Sequence, residues 1–249
     1  EDVIFKPMVL KLALKFAPLY SIVGVVECAP KRSNKSQSTG PLTEWGIKGT
    51  TYLASLVLFK KLIHFICKRI GISQQHTIKG ISKKHNLAYL YAQDINSMSV
   101  HEFCLTRGAD TAVSFQHQKI KQNTMNVFKN GIFNIHPSNL PKYRGVKPIH
   151  WAALNGDQTY SVSLHSIGIS FDTGDVWVQK KINLLKNFSI FEHYKSSHIA
   201  AAFLIADLAY NFEDIKKQSK VTSSTKHKYY NAPKRADFVK LHKLGWKRF

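Results

Sequence analysis

The sequence predicts an α/β fold: a mainly parallel sheet flanked by helices, followed by a short basic C-terminal extension. Short β-branched runs bounded by Pro and Gly alternate with longer stretches whose apolar residues recur at helical spacing. Such alternation marks parallel strands joined by right-handed crossovers. With 249 residues, 44% hydrophobic and 12% aromatic, the chain can bury one substantial core. The run Gly131–His136 (GIFNIH) turns polar at its end, and open α/β sheets keep their binding crevices beyond such strand ends. Composition divides the chain into residues 1–215, the α/β domain, and 216–249, a Lys- and Arg-rich extension with Asp237 as its single acid.

The elements follow in order. Met8, Val9, Leu12, Ala13 and Phe16 recur at helical spacing and Pro7 suits a first turn, so a helix is expected over Pro7–Phe16. Tyr20–Glu27 (YSIVGVVE), too short for a helix and bounded by Pro18 and Pro30, reads as a buried strand. Pro30–Gly49 has the Gly, Pro, Ser and Lys content of a mobile basic loop. Thr51–Ile70 is strongly apolar, yet Lys60 and Lys61 interrupt it and Lys68 and Arg69 end it. It reads as an amphipathic helix facing the core or a membrane surface, its uninterrupted run too short for a bilayer span. Ile78–Lys84 is expected as a helix, Leu87–Tyr91 as a strand, Val100–Arg107 as a helix, and Asp110–Phe115 and Gly131–His136 as strands. Tyr160–Ile167 (YSVSLHSI) alternates as a strand does, and a loop over Gly168–Asp175 leads to the strand Val176–Ile182. Ser189 with Glu192 three residues on gives the capping-box spacing for a closing helix over Ser189–Ile215.

Lys and Arg number 36 against 15 Asp and Glu, a formal charge of +21 that favours anionic partners. A lysine-rich solvated surface explains the same number. Cys28, Cys67 and Cys104 are odd in number, widely spaced and lack any Cys-x-x-Cys pair, so neither a disulfide framework nor a metal site is expected. A reducing, cytoplasmic compartment fits. The first residues lack the charged-then-apolar pattern of a signal peptide.

The informative block runs from Phe133 to Asp175 in three pieces. Asn134-Ile135-His136-Pro137-Ser138 continues as Asn139-Leu140-Pro141-Lys142-Tyr143-Arg144-Gly145. Pro148-Ile149-His150-Trp151-Ala152 precedes Asn155-Gly156, and Ser161-Val162-Ser163-Leu164-His165 leads to Asp172-Thr173-Gly174-Asp175. Side chains two apart on a strand share a face, so Asn134 and His136 would present an amide and an imidazole together. Alone, Asn134 reads as a strand-end cap and His136 as a loop histidine; the order of the pieces and the step from His136 to Asp172 make the pattern specific. Together they resemble the catalytic core of the folate-dependent formyltransferases, which include methionyl-tRNA formyltransferase, glycinamide ribonucleotide transformylase and the sugar N-formyltransferases. The resemblance is strong over residues 110–182 and faint elsewhere.

That resemblance implies a Rossmann-like formyltransferase fold, an N-formyltransferase activity and 10-formyltetrahydrofolate as the formyl carrier. In such an acyl transfer an amine attacks a carbonyl, negative charge grows on the carbonyl oxygen and the nitrogen sheds a proton. Asn134 and His136 are implied to polarise the formyl oxygen, and Asp172 to position His136 and assist proton transfer. The Asp before Thr-Gly is the family's catalytic one, which leaves Asp175 to the loop. The carrier's slot maps to Gln118 and Ile120 and to Gly168, Ile169 and Asp172, although a polar side chain simply facing solvent explains Gln118 equally well. On the acceptor side, Arg144 clamps a phosphate or pairs within its loop, His165 faces the acceptor or packs, and Tyr230 with Tyr229 contacts a base. His150 and His117 read as ordinary histidines, and Pro137, Pro141, Gly145 and Pro148 as stiffeners of the loop.

Family members usually open with a strand that turns into the first helix. This sequence enters its first helix almost at once, so either that strand is missing here or the sheet is rearranged. The stretch after Gln179 leaves little room for the β-barrel domain of methionyl-tRNA formyltransferases. The expected acceptor is therefore an anionic small-molecule amine, a nucleotide-linked amino sugar, with tRNA as the alternative. A non-catalytic polyanion-binding protein on the same scaffold is the reading from another class. No integral membrane span is expected, and a homodimer is left open.

Overall fold

The computed structural model describes residues 2–17, 21–29, 40–70, 76–115, 118–168, 170–217 and 228–249. Helix α1 (Asp2–Phe16) begins before the expected start, so Pro7 lies inside it rather than in its first turn. Phe5, Val9 and Ala13 give it a buried stripe at intervals of four, and packing of that stripe offsets the hydrogen bond lost at the proline. Strand β1 (Gly24–Cys28) starts later than the YSIVGVVE run suggests and pairs in parallel with β2 (Ala88–Ala92). Helix α2 (Pro41–Arg69) claims the end of the expected loop: Pro41 occupies its first turn, and Gly46, at φ 69°, kinks it. The rest of that loop, residues 30–39, lies outside the described residues.

Helix α3 (Ile78–Lys84) is capped by Thr77, whose hydroxyl oxygen accepts from the Gly80 N–H at 3.0 Å. Helix α4 (Met98–Thr106) and strand β3 (Ala112–Ser114) follow as expected. After the short helix α5 (Gln122–Met125) come β4 (Ile132–His136), β5 (Arg144–Gly145), α6 (Pro148–Leu154), β6 (Thr159–Ser166) and β7 (Val176–Asn183). Helix α7 (Ile190–Tyr210) has the capping box read at Ser189 and Glu192, and a break at Asn211 separates it from α8 (Phe212–Lys217). Strand β8 (Tyr229–Tyr230) and helix α9 (Arg235–Lys243) complete the chain.

The α/β architecture is as expected, with parallel pairing in β1–β2 and β3–β4. The main sheet has the order β3-β4-β6-β7, in which β6 and β7 run antiparallel. The seven residues of α6 span only about 10 Å, so the chain re-enters the sheet from the end at which β4 leaves it. Strands β1 and β3 belong to separate sheets. A cavity of about 1290 Å³ adjoins both, lined among others by Leu10, Val25, Phe103 and Val113.

The core joins Phe133, Ile135, Val162 and Leu164 of the sheet to Ile149 of α6, Ile190 and Leu204 of α7 and Phe5 of α1. Each such side chain contributes roughly 1.5–3 kcal/mol on burial. The expected division at 215/216 has no counterpart in this packing. Leu241 and Trp246 belong to the same core, β8 pairs with β5, and the Ile190 N–H donates to the Lys247 carbonyl at 2.8 Å. Composition suggested a separate extension because it averaged the exposed lysines of α9 with its buried Phe238 and Leu241.

Candidate active site

Strand β4 carries Asn134 and His136 to its C-terminal end, two residues apart and so on one face. Beside it β6 sets His165 opposite Asn134 and Ser163 opposite His136. The loop after β6 returns Asp172 with a left-handed φ of 55°, which Asp tolerates better than most residues. A Cβ added at Gly174 would lie 1.7 Å from the Ser166 carbonyl oxygen, so this tight loop, and the carboxylate it carries, depends on glycine there.

The carboxylate meets both histidines. Asp172 Oδ1 lies 3.7 Å from His136 Nδ1 and 3.8 Å from His165 Nε2, just beyond hydrogen-bond range. Its Oδ2 accepts from the Gly145 N–H at 2.8 Å. His136 Nε2 is 3.1 Å from the Tyr143 carbonyl; a carbonyl only accepts, so Nε2 bears the proton and the Nδ1 edge faces the carboxylate. By the same reasoning His165 donates from Nδ1 to the Ser166 carbonyl at 2.8 Å, and its Nε2 accepts from the Asn134 amide at 3.2 Å. Burial pushes the His165 pKa down to about 4, His136 adds to the depression and Asp172 opposes it. His165 is therefore neutral near pH 7, the state in which Nε2 can accept. The His136 and Asp172 side chains are only 9% and 11% exposed, which strengthens every electrostatic interaction among them.

The other predicted residues fall around this cluster. Arg144 is buried and its Nη2 donates to the Phe171 carbonyl at 3.1 Å, tying β5 to the loop that carries Asp172. Tyr230 pairs with Gly145 through β8; its ring lies 5.3 Å from that of Tyr143 and 5.2 Å from that of Trp151, with Lys228 at 5.1 Å. Gln118 donates to the carbonyls of Ala29 and Gln93 and accepts from the Ile95 N–H, so it fastens the ends of β1 and β2. Ile120 and Ile167 pack against the cluster containing Ile132, which brings the segments leaving β3 and β6 to the flanks of β4. Gly168 follows directly and lies against Thr173. Ile169 and His117 lie outside the described residues. Asp175 spends its backbone carbonyl on the Ser166 N–H, and His150 is buried beside the Tyr194 hydroxyl at 3.2 Å.

The groups that sequence reasoning missed are on the backbone. The carbonyls of Tyr143 and Ser166 fix the two imidazole tautomers, and the Gly145 N–H holds Asp172. Only the last left a trace in the sequence, as a glycine whose φ of 107° and close approach to the Tyr230 carbonyl exclude other side chains.

A family model described as formyl transferase matches residues 81–208, just over half of the chain. The bifunctional polymyxin resistance protein ArnA of Wigglesworthia glossinidia brevipalpis is 30% identical over 130 residues, 52% of this chain and 20% of that protein. The methionyl-tRNA formyltransferase of Finegoldia magna is 33% identical over 136 residues, 53% of this chain and 44% of that one. Among solved structures, the phosphoribosylglycinamide formyltransferase of Streptococcus pneumoniae TIGR4 aligns over 53% of this chain and 77% of its own, at 19% identity and a TM-score of 0.47. The chain thus spans less than half the length of these two curated relatives. The matched region contains β4, β6, the loop of Asp172 and all three of Asn134, His136 and Asp172, and this chain belongs to the formyl transferase family.

Proposed function

We propose that this protein transfers the formyl group of 10-formyltetrahydrofolate to a primary amine of a nucleotide-linked amino sugar. The observation that carries the reading is the convergence of the Asn134 amide, the His136 imidazole and the Asp172 carboxylate at the end of β4. This donor set fits a carbonyl that gains negative charge while an amine loses a proton. The segments around Ile120 and Gly168, drawn to the flanks of β4 by Ile120 and Ile167, fit a flat ring held between backbone edges. The bound folate would supply the activated formyl group.

The chain's own residues do the rest. Asn134, oriented by neutral His165, donates its remaining amide hydrogen to the formyl oxygen. His136, anchored at Nε2 by the Tyr143 carbonyl, stabilises the charge that develops when it is the imidazolium, whose Nδ1–H can then donate to the formyl oxygen. Asp172, held by the Gly145 N–H, stabilises a protonated His136 and accepts the amine proton directly or through water, and His136 returns a proton to the carrier nitrogen as its bond to the formyl carbon breaks. For the acceptor, the support is Tyr230, paired with Gly145 through β8, with the Lys228 ammonium beside its ring, an aromatic face and a cation suited to a nucleotide diphosphate. A cytoplasmic site of action agrees with three free thiols at Cys28, Cys67 and Cys104.

The names of several relatives favour a second acceptor, aminoacylated tRNA, and the charge of +21 suits it. Incubation with 10-formyltetrahydrofolate and either a panel of nucleotide-linked amino sugars or methionyl-tRNA, read by tetrahydrofolate release, separates the two. Release with a sugar supports the first reading, and release with tRNA alone replaces its acceptor. Silence with both acceptors, despite tight binding of a folate analogue, would remove the transferase reading.

A further inference from the structure

Helix α2 presents an apolar surface that the fold leaves uncovered. Leu58, Phe59, Leu62, Phe65 and Ile66 are 66%, 58%, 54%, 58% and 45% exposed. At 100° per residue they fall within one arc of about 120°, so they form a single stripe rather than scattered side chains. Scattered exposed apolar residues are ordinary, but a contiguous stripe of five marks an interaction surface. Cations border it: Lys61 is exposed on one flank, Arg69 is exposed at the end with its guanidinium 5.7 Å from the Phe65 ring, and Lys48 is exposed a few turns earlier.

By length and composition the helix could cross a bilayer, and its most apolar stretch is not buried in the fold. Its contacts argue for a different orientation. Near its start Trp45 is buried in the core, and Tyr52 packs on Phe249 with ring centres 4.9 Å apart. At mid-length Val57 and Lys60 line the same cavity as Leu10 of α1, and farther on the His64 ring lies 6.1 Å from that of His76. A helix that touches its own globular body at the beginning, middle and end cannot thread a bilayer without taking that body along. It can lie flat, with the stripe facing outward.

We infer that α2 is an interfacial helix that docks the protein on anionic lipid bilayers. Leu58, Phe59, Leu62, Phe65 and Ile66 enter the boundary between headgroups and acyl chains, and Lys48, Lys61 and Arg69 meet the lipid phosphates. The cationic border and the charge of +21 select an acidic lipid surface over a second copy of the same cationic chain, which would be repelled. The inference stands apart from formyl transfer, since none of these residues belongs to the cluster around Asp172.

The test is co-sedimentation of the full chain with vesicles of phosphatidylcholine containing about 30% phosphatidylglycerol, against vesicles of phosphatidylcholine alone, at low and high salt. Binding to the acidic vesicles is expected to be at least tenfold tighter and to weaken with salt. The double variant L62E/F65E lies on the exposed stripe, so it leaves the thermal midpoint unchanged and is expected to lose at least tenfold in vesicle affinity. A second variant, K61E, is expected to reduce binding to acidic vesicles severalfold and leave the weak binding to neutral ones unaltered. Equal binding to both vesicle types, or vesicle affinity unaffected by L62E/F65E, overturns the inference. So does a concentration-dependent dimer that the same variant abolishes, because the stripe would then be covered by a second copy.

Discussion

Replacing Asp172 with Asn removes the carboxylate from the active site and keeps its shape. The amide is isosteric, Asn also tolerates the left-handed backbone at this position, and its side-chain oxygen can still accept from the Gly145 N–H. What disappears is one negative charge 3.7 Å from His136 Nδ1 and, with it, the acceptor of the amine proton; the charge alone sets a lower bound on the loss. At an effective dielectric near 20, a unit pair at about 4 Å interacts by about 4 kcal/mol. If transfer passes through a protonated His136, losing that stabilisation raises the barrier by up to about 4 kcal/mol, close to a thousandfold in rate. The small remaining exposure of the carboxylate, 11%, admits some screening, so a loss of about 10² to 10³ in single-turnover rate is expected. Tetrahydrofolate formation with the acceptor identified in the amine panel gives the rate, and binding of a folate analogue and the thermal midpoint serve as controls. A rate within threefold of wild type, with both controls unchanged, would refute the proposed role of the charge.

Three further outcomes follow from the structure. Gly145→Ala places a Cβ 2.2 Å from the Tyr230 carbonyl oxygen at a φ of 107°, so β8 must leave β5; a loss of more than about 2 kcal/mol by urea denaturation is expected, and a smaller loss would mean that β8 is dispensable. Ser189→Ala removes half of the capping box on α7 and should cost about 1 kcal/mol, read as a fall in the same midpoint with catalytic rate retained. Acid should destabilise the fold: His165 has a folded pKa of about 4, below the ordinary 6.5, so the unfolded chain alone binds that proton between these values. Stability is then complete above pH 6.5 and falls as pH drops toward 4, by roughly 2 kcal/mol at pH 5 from this residue. Burial pushes His150 well below its usual value and acts in the same direction; a urea midpoint equal at pH 7 and pH 5 would contradict both.

Much of the fold was legible because its signals are local. The capping box at Ser189, the helix Ile78–Lys84 and the strand ending at His136 were each written in a few adjacent residues. Other features depended on partners far away in sequence. The segment after Gly40 reads as a loop from its Pro, Gly and Ser content, yet Trp45 finds a buried place against Phe191 and Tyr194 and draws it into α2. The tail from Lys216 reads as a basic extension, yet Phe238, Leu241 and Trp246 pack into the body of the protein. The family resemblance implies a place for Gln118 in the folate slot; the three bonds by which its side chain holds backbone ends together are a use that a resemblance cannot reveal.

By itself the sequence determined the chemical inventory: an amide and an imidazole two apart on one strand face, an aspartate on a following loop, and a family resemblance carried by their order. Tertiary structure alone decided how those groups are used. Pairing of β4 with β6 set His165 against Asn134, burial made that histidine neutral, and the carbonyls of Tyr143 and Ser166 chose which nitrogen of each ring bears the proton. The physical reason is that side-chain identity is a local property of the chain. Protonation state, tautomer and orientation are set by desolvation and by backbone groups that folding brings in from elsewhere.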